Sequence, residues 1–335
     1  MNKSPLVTLF RGASLVYKIV SNLEQQKKFI RDNIVPELNT AKSTNDGSLD
    51  ESDIKKITGY YGLAVPAVLG EAFCLLRGVK MTVKERMAST CQGAMTGLFD
   101  DFFDKQLLSD EALKTFIEKP QHQSGNNSNE KLFTYFYGTA LENTAKPKLV
   151  LEHLNCVYRA QVDSKLQAGP GLSIDEIKEI TLRKGGASLL FYRTVFTNPM
   201  DKAEEDMLYH SGGLMQLSND IFDVYKDQQH GIQTLVTTTK DIAEIRKLFI
   251  ELLKDGYTAA YKTHYNTRNI KNFLDIISLG IFSRCFVCLD QLQQAQRLSD
   301  NIFSPEKYSR KDMICDMDTA LNKWKSLKYY VQYAG

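Results

Sequence analysis

Two stretches hold the residues best suited to chemistry: Asp100-Asp101-Phe102-Phe103-Asp104 and Asn219-Asp220-Ile221-Phe222-Asp223-Val224-Tyr225-Lys226-Asp227. In the first, Asp100 and Asp104 are four residues apart. In the second, Asn219, Asp223 and Asp227 recur at four-residue steps. Four residues make about one helical turn, so each set shares one face of a helix. Like charges stacked one turn apart repel, and burying them unpaired is costly. Both sets are nevertheless embedded in apolar sequence, GAMTGLF before the first and GGLMQLS before the second. Cations between the carboxylates remove the conflict, and Mg²⁺ takes such oxygens together with substrate phosphates. Two such sets on separate helices are expected to form two walls of one metal–phosphate cavity.

The elements that must position them read as helices throughout. Residues 13–36 carry apolar positions at helical spacing, closed by Pro36. Residues 39–52 and 119–130 are polar and read as loops, with a helix restarting near Ser52-Asp53. Pro66 marks a helix start or kink within the apolar stretch 57–79. The first acidic set lies on a helix over 82–107, whose stripe is Met87, Cys91, Met95, Leu98 and Phe102. Gly93, Thr96 and Gly97 are expected to leave open volume beside Asp100. Pro170-Gly171 breaks the chain before a capping box at Ser173–Glu176. Gly185-Gly186 inside the following helix implies a break or a close approach. The second set ends its helix near His230-Gly231. With no βαβ rhythm and no repeat, the chain reads as one all-α domain over 1–335.

Bulk properties exclude some classes. The 335 residues carry 42 basic and 40 acidic side chains, a net charge of +2, which gives no reason to expect nucleic acid or a membrane surface as partner. No signal peptide is evident, and no apolar run is expected to span a bilayer. Six scattered cysteines imply a reducing, cytoplasmic compartment. Cys285-Phe-Val-Cys288 reads as two buried residues one turn apart rather than a zinc site. His153, His210 and His230 lack metal-ligand spacing.

The paired motifs resemble those of class I isoprenoid synthases, whose all-α bundle surrounds a central cavity with facing DDxxD and NDxxDxxxD helices. Gly212-Gly-Leu-Met-Gln216-Leu-Ser-Asn219-Asp-Ile-Phe-Asp223 is similar to the GLxFQxxDDxxD of trans-prenyl diphosphate synthases, and Lys184-Gly-Gly-Ala-Ser-Leu189 to their KT(A/G)xL. The resemblance covers roughly residues 57–235. Chain-elongating members also carry GGKRxRP, where this chain has Tyr60-Tyr-Gly62-Leu63-Ala-Val65-Pro66 without a basic residue. The Arg pair after DDxxD is absent, and the late GKxT is Gly231-Ile-Gln-Thr234. Phosphate is held by Arg and Lys, so a second diphosphate site is not expected. This favours a terpene synthase on a polyprenyl-synthase-like scaffold, with squalene/phytoene synthases as the alternative relatives and a non-catalytic homologue as a third reading.

The resemblance implies three Mg²⁺ ions held by Asp100 and Asp104 and by Asn219, Asp223 and Asp227. Lys184 or Arg183 would add a cation to the substrate diphosphate and Gln216 a hydrogen bond, and Asp101 and Asp220 would orient the ligands. Tyr61, Phe99, Phe103, Phe191, Tyr192 and Met215 would wall a dry cavity for a carbocation. Tyr329 and Tyr330 would close over it. A homodimer is expected by analogy with the scaffold.

Overall fold

The computed structural model describes residues 5–104, 110–118 and 125–333, the side chains of 5–10, 104 and 110 excepted. Every regular element among them is helical, as the sequence pattern predicts. The principal helices are α1 (Pro5–Asn33), α2 (Glu51–Arg77), α3 (Val83–Asp104), α4 (Ser128–Glu142), α5 (Pro147–Ser164), α6 (Ile174–Arg193), α7 (Lys202–Phe222), α8 (Val224–Gln229), α9 (Ile242–Ala260), α10 (Thr267–Arg297) and α11 (Ala320–Tyr333). They fall into two compact units. One comprises Tyr17–Tyr158 with Phe191–Pro199; the other comprises Met1–Val16, Arg159–Leu190 and Met200–Gly335.

In the first unit the stripe of α3 is buried at Cys91, Met95, Leu98 and Phe102, while Met87 is half-buried. It packs on α4, with Phe102 edge-on to Phe133 at 5.2 Å. Helix α2 is not a regular α-helix. It contains two π-helical segments, Lys56–Tyr60 and Val65–Gly70. Pro66 opens the second, where a wider turn tolerates its missing N–H. Pro36 does not close a helix, as the sequence suggested; it lies in the first turn of a new one, Val35–Ser43, where proline costs nothing. Asp50 caps α2 reciprocally with Asp53. Of the polar stretch 119–130, residues 119–124 lie outside the described residues, as do 105–107 of the anticipated helix, and α4 begins at Ser128.

In the second unit α6 runs unbroken through Gly185-Gly186. The glycine pair serves a close approach: a Cβ at Gly185 would lie 2.1 Å from the Gly212 carbonyl oxygen, and one at Gly186 2.4 Å from the Tyr209 ring. Ser173 and Glu176 form the anticipated capping box. Helix α10 is the core of this unit, with Phe273, Ile277, Phe282, Cys285 and Cys288 buried. All six thiols are unbridged. Asp275 of α10 is paired with Arg11 of α1 and accepts from the Tyr330 hydroxyl of α11 at 3.0 Å.

The expectation that nothing is apolar enough to cross a membrane needs correction. By length and composition, Glu51–Arg77 and Thr267–Arg297 both qualify. The most apolar window of Thr267–Arg297 is 78% buried by protein, as in a core helix, and that of Glu51–Arg77 is 50% buried.

Candidate functional site

Helix α7 carries the second acidic set to its C-terminal end. Regular helix stops at Phe222, and Asp223 takes the cap position before α8. The backbone bonds continue through this break: Asp223 N–H donates to Asn219 at 2.8 Å, and Asp227 N–H donates to Asp223 at 2.9 Å. The one-turn stacking of Asn219, Asp223 and Asp227 therefore survives the change of helix. The Asn219 amide donates to Asp223 Oδ2 at 3.3 Å.

Asp220 points elsewhere. It is buried, accepts from Gln216 at 2.9 Å on one oxygen and from Thr181 of α6 at 3.3 Å on the other. Burial pushes its carboxyl up to about 6, with the Gln216 and Thr181 bonds and the charge of Lys184 opposing. Burial also raises Asp223. Asp227 is pushed up to about 7, first by burial and then by the charges of Asp220 and Asp223, with Lys226 and Lys184 opposing. Burial is the first cause for all three carboxyls, the neighbouring carboxylates add most to Asp227, and Lys184 is close enough to act on all of them. Oxygen donors held under repulsion suit a hard divalent cation. Among the described residues no group of three or more His, Cys, Asp or Glu side chains converges into a ready cage. Mg²⁺ usually keeps several waters and substrate oxygens, so one or two protein carboxylates per ion fit it better than a closed cage.

Of the residues assigned to the diphosphate, Lys184 stands at this set and Arg183 does not. Neighbours on a helix point about 100° apart, and Arg183 is turned to Asp163 of α5 at 3.1 Å and Glu179 at 3.8 Å. Gln216 is engaged with Asp220. Thr181 was missed, although it lies one turn before Lys184 on the same face of α6.

The first set lies at the end of α3. Asp100 is half-buried and accepts from the Tyr61 hydroxyl at 3.1 Å. The charge of Asp100, then burial, pushes the Tyr61 hydroxyl well up, so it stays a donor. Asp101 is 2% exposed and ion-paired with Lys56. Asp104 ends the helix, and its side chain lies outside the described ones.

The open volume expected beside Asp100 is filled. A Cβ at Gly93 would lie 2.5 Å from the Tyr61 carbonyl oxygen, and one at Gly97 2.9 Å from the Lys56 side chain. These glycines serve close helix packing. Thr96 accepts from the Tyr192 hydroxyl at 3.1 Å. Of the anticipated cavity residues, Phe99, Phe103 and Phe191 are buried, with Phe99 and Phe103 edge-on at 5.2 Å and Phe103 beside Tyr158. Phe99 and Phe103 belong to an aromatic cluster with Phe133, whereas Phe191 packs on Tyr192 at 5.7 Å. Met215 is half-buried on α7. An open groove of about 410 Å³ on α2 is lined by Glu51, Ser52, Ile54, Lys55 and Thr58, none of them an anticipated site residue. Tyr329 and Tyr330 are not free to close over a site: Tyr329 donates to Asp290 at 2.7 Å and Tyr330 to Asp275.

No family model matches the chain, and no curated protein matches it. Among solved structures, a dehydrosqualene synthase in complex with a ligand is similar over 95% of this chain and 98% of its own, at 12% identity and a TM-score of 0.48. At such identity, chemistry has to come from the residues themselves.

Proposed function

We propose that the protein is a Mg²⁺-dependent isoprenoid synthase that ionises one linear prenyl diphosphate and releases a terpene hydrocarbon or alcohol. The observation that carries this reading is the one-turn stacking of Asn219, Asp223 and Asp227, kept by backbone bonds across the end of α7, with Lys184 near enough to act on both carboxylates. Asn219, Asp223 and Asp227 would hold Mg²⁺, as would Asp100 and Asp104. Bound there, the metal supplies charge stabilisation for the departing diphosphate.

The chain's own residues do the rest. Lys184 places a fixed positive charge beside the carboxylates, and Gln216 with Thr181 keeps Asp220 turned away from the ligands. In the reaction the allylic C–O bond breaks and its electron pair leaves with the diphosphate. The carbocation then loses a proton or takes water. The absence of basic residues at Gly62, Leu63 and Val65 favours one diphosphate over two.

The test is incubation with Mg²⁺ and geranyl, farnesyl or geranylgeranyl diphosphate, with and without isopentenyl diphosphate, and identification of products. A hydrocarbon or alcohol formed without isopentenyl diphosphate, with diphosphate released, supports the proposal. Asp223→Asn or Asp227→Asn is expected to cut turnover by more than about 100-fold, beyond the loss from an outer hydrogen-bond partner. A longer diphosphate made only with isopentenyl diphosphate, or a product joining two allylic substrates, would identify a transferase instead. Binding of substrate without turnover would identify a non-catalytic relative.

A further inference from the structure

Lys56 and Tyr61 of α2 reach adjacent carboxylates of α3: Lys56 pairs with Asp101, and the Tyr61 hydroxyl donates to Asp100 Oδ2 at 3.1 Å. The two residues are five apart in sequence. In a regular α-helix they would point about 140° apart, and could not both address one neighbour. The π turn changes this. Tyr61 N–H bonds to the Lys56 carbonyl, an i→i+5 closure that stacks the two side chains on one face.

The neighbouring helix is cut to receive them. A Cβ at Gly97 would lie 2.9 Å from Lys56 Cβ and 3.3 Å from the Tyr61 ring, and a Cβ at Gly93 would strike the Tyr61 backbone. A π turn is rare and is frequently found at functional sites, although the described residues hold two others, Val65–Gly70 and Ser278–Phe282. Here its visible effect is to aim one cation and one hydroxyl at two consecutive aspartates.

We infer that Lys56 and Tyr61 are positioning residues for the first carboxylate set. Tyr61 fixes the orientation of Asp100 toward a divalent cation, and Lys56 holds Asp101 out of the coordination sphere. The inference rests on the reading of Asp100 as a Mg²⁺ ligand. It assigns Tyr61 a task other than walling a cavity, and gives Lys56 a task where none was assigned.

Metal binding by the full, metal-free chain tests it without reference to turnover. Mn²⁺ stands in for Mg²⁺, with the free ion followed by its paramagnetic resonance signal and melting measured in EDTA. The binding lost in Asp100→Asn defines the share owed to this set. Tyr61→Phe keeps the ring and is expected to weaken that share about tenfold, at the lower end of the effect of outer hydrogen-bond partners on metal affinity, with little change of melting temperature in EDTA. Gly97→Ala, which displaces both Lys56 and Tyr61, is expected to act in the same direction and serves if Tyr61→Phe does not fold. Unchanged Mn²⁺ binding by Tyr61→Phe, or weakening matched by a large fall in the EDTA melting temperature, overturns the inference alone. A wild-type chain that takes up no Mn²⁺, or an Asp100→Asn variant that binds like wild type, overturns the magnesium reading and the inference with it.

Discussion

Asp227 bears the heaviest electrostatic load in its set, held near 7 by burial and by the charges of Asp220 and Asp223. Asp220 is held near 6 by burial. Both lie above the ordinary value of 3.8, so between that value and about 6 to 7 the folded chain binds more protons than the unfolded chain. Stability contributed by these groups is therefore greatest at low pH and is lost as pH rises through that window. In EDTA, the melting temperature relative to Asp227→Asn is expected to fall from about pH 5 to about pH 7.5. Mg²⁺ held as proposed would bind the deprotonated form, so its addition is expected to raise melting more at the higher pH. Parallel melting curves for wild type and Asp227→Asn across this range, with or without Mg²⁺, would sink the idea. Sequence spacing gave the stacking of Asn219, Asp223 and Asp227 because it depends only on helix periodicity. It could not choose between Arg183 and Lys184, because Asp163, which captures Arg183, comes from another helix.

At the scale of elements, glycines decide which helices approach closely. Gly212 faces Gly185 so tightly that a Cβ on it would sit 2.3 Å from the Gly185 carbonyl oxygen. Gly138 of α4 has nothing within 4 Å of such a position. Gly138→Ala is expected to stabilise by about 0.5–1 kcal/mol through helix propensity alone. Gly212→Ala gains the same propensity but meets backbone, and a net loss of about 1–3 kcal/mol is expected from overpacking. Urea midpoints moving in the same direction for both variants would refute the assignment. The Gly185-Gly186 pair was legible as either a break or a close approach, and only the facing Gly212 and Tyr209 of another helix decide for the second. Gly93 and Gly97 were misread as open volume. Their partner is the irregular turn Lys56–Tyr60, and an i→i+5 closure leaves no mark in hydrophobic periodicity.

At the scale of the whole molecule, the all-α class was legible from periodicity, while the division into two units was not, because neither unit is continuous in sequence. The boundaries at Val16–Tyr17, Tyr158–Arg159 and Leu190–Phe191 fall inside α1, α5 and α6. A helix forms cooperatively, so ending one at its middle forfeits structure on both sides of the cut. The unit built on Tyr17–Tyr158 also depends on the distant segment Phe191–Pro199. Gln92 donates to the Phe191 carbonyl at 2.8 Å, Phe196 packs edge-on to Phe73 at 5.4 Å, and the buried Arg77 donates to Asn198 at 3.1 Å. Without that segment a buried guanidinium loses partners, which is costly. The full chain is therefore expected to melt in one calorimetric transition, with van't Hoff and calorimetric enthalpies in agreement. A fragment of residues 17–158 alone is expected to show helical circular dichroism without a cooperative melt. Two resolved transitions in the full chain, or a sharp melt of the fragment, would show instead that the units fold as separate domains and that the reading of 1–335 as one domain fails.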